Sequence, residues 1–133
     1  MALFTWYKHY SVNNDELDNH HQALFDIFNR LYGNCFSHDI PNCLEQIIEE
    51  LLSYSHYHFI AEEQHMRDIG FNEIDQHIME HRLFMKKILE LQQVADNNEP
   101  EAIRELIEFL GKWLLRHVLD EDKKYAVLSN KEA

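Results

Sequence analysis

The chain has 133 residues, 45% of them hydrophobic, with only three glycines and two prolines. That composition fits one domain of long helices with few tight turns. Acidic residues outnumber basic ones 24 to 12, for a formal charge of -12, which argues against nucleic acid or an anionic membrane as partner and leaves carboxylates to spare for a cation. No apolar run reaches membrane-spanning length, and the stretch Met1–His9 lacks a basic region followed by an apolar core, so the expectation is a cytoplasmic protein without membrane insertion. Ten histidines stand out in the composition. Cys35 and Cys43 show no Cys-x-x-Cys spacing and read as free thiols.

Residues 1–13 carry Phe4, Trp6, Tyr7 and Tyr10 without helical period, as an ordered arm that lays its aromatics on the domain would. Asn14 or Asp15 caps a first helix whose inner face is Leu17, His21, Leu24, Phe25, Phe28 and Leu31. His20 lies toward the edge of that face, about 100° from His21. Gly33-Asn34 ends the helix. Pro41 opens the second, which stops at Gly70. Its buried stripe runs Leu44, Ile47, Leu51, Ser55, His58, Glu62, Met66, Ile69. His58 and Glu62 therefore stand where Leu or Ile is expected, stacked one turn apart. A carboxylate there is costly unless it is paired or holds a metal. Glu63, about 100° further round, points away.

The third helix begins at Asn72–Ile74 and buries Ile74, Ile78, Phe84, Met85, Ile88 and Leu91, with His77 and His81 on the same face. A loop over Asp96–Pro100 leads to the fourth, whose inner face is Ile103, Leu106, Ile107, Leu110, Trp113, Leu114, His117 and Val118. The acids Asp120, Glu121 and Asp122 follow, and regular helix geometry selects Asp120 or Glu121 as the one sharing the face of His117.

Four amphipathic helices joined by short loops predict an all-α, antiparallel up-down-up-down four-helix bundle over residues 14–130, with the N-terminal arm before it. Each helix carries at least one inward histidine. As structure alone, every one would need its own buried hydrogen-bond partner, whereas metal ligation satisfies them together. Five histidines and two carboxylates are too many donors for one transition metal and suit two metals sharing bridging carboxylates. Glu62-x-x-His65 is the only Glu-x-x-His in the chain, so the donor set is richer in histidine than that of the four-carboxylate di-iron enzymes.

Four stretches in order carry a resemblance: Asp18-Asn-His-His21-Gln-Ala-Leu24-Phe25 with Asn29; His58-Phe59-Ile-Ala-Glu62-Glu63 with Met66; His77-Ile-Met-Glu-His81 with Phe84; and Trp113-Leu114-Leu-Arg-His117-Val118-Leu-Asp-Glu-Asp122 with Tyr125. Together they make essentially the whole chain resemble a hemerythrin of the single-domain bacterial kind, and Trp6 matches that family's aromatic arm. The resemblance implies two iron ions with a bridging oxo or hydroxo group. His77, His81 and His117 would hold one ion, His21 and His58 the other, and Glu62 and Asp122 would bridge them. Phe59, Trp113, Leu114 and Val118 would wall an oxygen pocket at the two-histidine iron. Asp122 lies five residues beyond His117, about 140° away on a straight helix, so this assignment requires a departure from α geometry between them. The family usually has Gln before its first histidine ligand. Here that residue is His20, and the His-x-x-Leu-Phe register keeps His21 as the ligand. His9, His20, His38, His56 and His65 read as surface residues.

The function so implied is reversible dioxygen binding for storage, transport or delivery, by a monomer that is not an enzyme and that hands oxygen to a protein partner. The alternatives are an oxygen or redox sensing module, or a di-iron oxidase or peroxidase.

Overall fold

In the computed structural model, which describes residues 5–35 and 43–126, Asn14 opens the first helix. Its side chain accepts the Leu17 amide at 3.0 Å, and Asp15, Glu16 and Asp18 crowd the first turn, where the helix dipole favours negative charge. Helix α1 (Asp15–Arg30) is followed by α2 (Cys43–Asp68), α3 (Ile74–Asn97) and α4 (Glu99–Trp113). Gly70, at φ 70°, takes the left-handed conformation just past α2. The loop expected over Asp96–Pro100 shrinks to Asn98. Its amide closes α3 on the Val94 carbonyl at 2.8 Å, and its side chain accepts the Glu101 amide at 3.3 Å to cap α4. Consecutive helices pack side by side, and α4 returns to α1 to complete the four-helix bundle.

Two segments widen into π-helix: Leu31–Cys35 after α1 and Leu114–Glu121 after α4. The first carries Gly33 and Asn34, so α1 ends near the expected place but by a wide turn. It also corrects the reading of the cysteines. Cys35 and Cys43 form a disulfide, with Cα atoms 5.4 Å apart. The π-turn and the first residue of α2 bring them together, which spacing alone did not reveal. The expected roles of Phe4, His38 and Pro41 lie outside the described residues.

The arm is tied down by polar contacts as well as aromatics. Trp6 meets Phe25 and Tyr10 edge-on, at 5.5 and 5.6 Å. Asp18 accepts the Ser11 hydroxyl at 2.5 Å and the Val12 amide at 2.8 Å. Lys123 donates to the carbonyls of His9 and Ser11 at 2.7 and 3.0 Å. No helix among the described residues is long and apolar enough to cross a membrane.

Among the described residues the interior has two apolar clusters. A large one gathers Leu24, Phe28, Leu51, Phe84, Leu106 and Leu114 with their neighbours. A small one near the arm holds Val12, Leu17, Met66, Phe71, Tyr125 and Ala126. Along every helix the inward histidines and carboxylates fall between residues of the two clusters. The bundle thus encloses a polar layer sealed at both ends.

Because the Asn98 side chain caps α4, Asn98→Ala should cost about 1 kcal/mol of stability, while Asn98→Asp retains most of it. Urea unfolding of the three proteins measures the difference.

Candidate metal centre

Seven side chains meet in that layer: His21, His58, Glu62, His77, His81, His117 and Asp122, all buried. They include every histidine and carboxylate expected to hold metal. All five imidazoles turn Nε2 inward toward the two carboxylates.

The carboxylates divide their oxygens. Glu62 Oε1 lies 3.2 Å from His77 Nε2, 2.8 Å from His81 Nε2 and 3.9 Å from His117 Nε2. Its Oε2 lies 3.4 Å from His21 Nε2 and 3.5 Å from His58 Nε2. Asp122 repeats the pattern, with Oδ1 2.7 Å from His77 Nε2 and 3.1 Å from His117 Nε2, and Oδ2 3.1 Å from His21 Nε2. Ligand atoms accordingly fall into two sets, Glu62 with His77, His81 and His117, and His21 with His58, Glu62 and Asp122. Within each set the atoms lie within 4.8 Å of one another.

Asp122 reaches this layer because of the π segment. In a regular helix, residues 117 and 122 would diverge, but a wide turn returns i+5 to the face of i. The Asp122 amide accordingly donates to the His117 carbonyl. Asp120 is exposed, and Glu121 pairs with Lys124 at 3.0 Å instead of facing the histidines.

The cluster is strongly polarised. Burial lowers the basicity of His21 and His77, but hydrogen bonds and charge from Asp122 and Glu62 outweigh it and raise both to about 9. Burial opposes the charge on His117 as well, and Asp122, Glu62 and Glu80 still hold it well above the ordinary imidazole value. Burial alone would raise the carboxyls of Glu62 and Asp122, yet the facing imidazoles keep both below the usual range. His58 goes the other way, lowered by burial against the pull of Glu62. Two anions are therefore fixed in a dry layer and demand positive charge. Protons on the imidazoles can supply it, and divalent cations at the same Nε2 atoms would supply it equally. The donors fit such cations: imidazole nitrogens and carboxylate oxygens suit iron, and buried Asp122 Oδ2, although 3.1 Å from His21 Nε2, makes no hydrogen bond of good geometry.

A second layer of contacts, which helix periodicity does not indicate, surrounds these seven side chains. Glu63 does not point away, since its Oε2 accepts from His81 Nδ1 at 2.8 Å. Glu80 Oε2 stands 3.6 Å from His117 Nδ1. Tyr125 donates its hydroxyl to Glu62 Oε2 at 2.9 Å, and burial with the nearby Glu62 and Asp122 raises the phenol well above its usual value. His20 is not a surface residue. It is buried, its basicity lowered by desolvation, and its Nδ1 lies 3.0 Å from His58 Nδ1. Its place beside the first inward histidine, at the edge of a wide stripe, was the available signal. Among the other supposed surface histidines, His9 and His56 are exposed and His65 is half-buried beside the Tyr125 ring.

The four expected pocket residues are spread around the cluster. Phe59 stacks on His81, with centroids 3.9 Å apart, and also meets His58 at 5.8 Å. Trp113 stacks on His117 at 4.0 Å, so its ring contact is with the three-histidine set. Leu114 and Val118 are fully buried in the large apolar cluster.

Comparison with known proteins agrees with this geometry. The family model for the hemerythrin HHE cation binding domain matches residues 12–128. A bacteriohemerythrin of Clostridium acetobutylicum is 32% identical over 127 residues, covering 92% of this chain and 98% of that protein. A hemerythrin-like protein of Naegleria gruberi is 30% identical over 122 residues, covering 92% and 90%. The crystal structure of a wild-type hemerythrin superposes with a TM-score of 0.74 at 26% identity, over 96% of this chain and 98% of its own. With the family model spanning nearly the whole bundle, the chain belongs to the hemerythrin family, a family of oxygen-binding proteins rather than enzymes.

Proposed function

We propose that this chain binds dioxygen reversibly at two iron ions, for oxygen storage, transport or delivery. His77, His81 and His117 would hold one ion and His21 and His58 the other, with Glu62 and Asp122 shared between the two and an oxo or hydroxo group completing the pair. The observation that carries this reading is the division of each carboxylate, with one oxygen toward the three-histidine set and the other toward His21. Salt-bridged core histidines have no need of that symmetry, and two bridged cations do. The iron pair supplies the electrons that dioxygen takes up on binding and gives back on release.

The chain's own residues give that chemistry its setting. The five imidazoles divide three to two, so the side held by His21 and His58 would offer one protein donor fewer and would be the side left for dioxygen. Leu114 and Val118, beside the cluster, exclude water and mobile protons, which favours release of oxygen over irreversible oxidation. Phe59 and Trp113 hold the planes of His81 and His117 by stacking. Tyr125, through its bond to Glu62 Oε2, keeps that carboxylate turned so that both oxygens are used.

Iron content after anaerobic loading and desalting tests the bridge. Glu62→Ala should retain almost none, since it removes a donor from both ions. Glu63→Ala should retain both but bind about 10-fold more weakly, because it removes only the outer partner of His81. Equal retention in the two variants contradicts the assignment.

Function itself is read optically. Iron-loaded protein should gain a visible absorption band on exposure to oxygen and lose it on deoxygenation through repeated cycles. Leu114→Ala should keep full iron content, yet the oxygen-dependent band should decay faster. A band that never reverses in the unsubstituted protein would turn the reading toward an oxidase.

A further inference from the structure

We propose that His20 is a positioning residue for the two-histidine half of the centre: it accepts a hydrogen bond from His58 and thereby fixes the tautomer in which His58 offers Nε2 to a metal. The inference rests on the reading of His58 as a ligand. It begins from the contact between two Nδ1 atoms, 3.0 Å apart and both buried.

At that distance one proton lies between the rings. Two bare lone pairs repel, and two N–H groups collide. If the proton belongs to His58, its Nε2 is bare and faces Glu62 Oε2 at 3.5 Å, ready for a cation. If it belongs to His20, a neutral His58 must carry its own proton on Nε2, pointing into the cluster and closed to metal. In the absence of a cation Glu62 competes for the His58 proton at Nε2, and His20 competes for it at Nδ1. A cation held at His58 Nε2 requires the neutral ring to carry its proton on Nδ1, and the His20 Nε2 edge faces the rim carboxylate of Glu16 at 3.9 Å, so the His20 proton has a favourable place away from His58. That leaves His20 Nδ1 as an acceptor, and His58 becomes the donor. The rings of Tyr54 and Tyr57 meet His20 edge-on, at 5.8 and 5.1 Å, and hold it in place for this relay.

The other outer contacts use carboxylates, Glu63 behind His81 and Glu80 behind His117. An imidazole does the same work behind His58. An outer partner of this kind sets ring orientation and ligand basicity and is worth about 10- to 100-fold in metal affinity.

Two substitutions separate the hydrogen bond from packing. His20→Asn places an amide oxygen where Nδ1 stands, and His20→Leu has nearly the same shape without an acceptor. Both lose the ring, so their difference isolates the bond. Iron titration should give an Asn variant close to the unsubstituted protein and a Leu variant about 10-fold weaker at one of its two sites. Nitrogen-15 NMR of the metal-free proteins should find a larger share of the His58 proton on Nδ1 in the Asn variant than in the Leu variant, where only Glu62 competes for it, at Nε2. Equal titrations and equal tautomers in the two variants would overturn the proposal. If the unsubstituted protein took up no iron, the reading of His58 as a ligand would fall, while the metal-free tautomers would still decide whether His20 controls the His58 proton.

Discussion

Everything in the bundle answers to two carboxylates, Glu62 and Asp122, held with no exposure to water. Each is an acceptor with two oxygens, and each is satisfied only by donors or cations inside the protein. Taking the partner away from a buried charge costs about 3–5 kcal/mol, enough to unfold a marginal domain. The five inward histidines, the π segment and Tyr125 all follow from the need to meet those four oxygens. The two apolar clusters on either side keep water from meeting it instead.

The backbone pays attention to the same constraint. A regular continuation of α4 would have carried Asp122 away from His117. The π segment over Leu114–Glu121 inserts the extra residue per turn that returns it. Helix periodicity alone selected Asp120 or Glu121, and only the motif resemblance selected Asp122. The two disagree because periodicity assumes an α-helix, and this stretch departs from one. Wide turns of this kind recur at functional sites because they move a single side chain while leaving the rest of the helix packed.

Much else was legible because it is periodic. The inner faces of four helices could be read from spacings of three and four, and His58, Glu62, His77, His81 and His117 stood out as polar residues on those faces. What could not be read was lateral. Glu63 and Glu80 lie beside the inward stripe on one helix and reach a histidine on another, and a pattern along one helix carries no information about its neighbour. His20 belongs to the same class, since it reaches His58 across the α1–α2 contact. The Cys35–Cys43 disulfide depends likewise on how a π-turn and a helix start approach each other. Contacts made from one helix to the next therefore needed the packed bundle to be seen.

The central claim is that Glu62 and Asp122 each join two metal ions, and diffraction at the iron absorption edge from crystals of the iron-loaded protein measures it directly. The account predicts two anomalous peaks per chain inside the bundle. Three histidines should lie at one and two at the other, with an oxygen of Glu62 and of Asp122 on each. A single peak, or two peaks with Asp122 bound to only one, would contradict it.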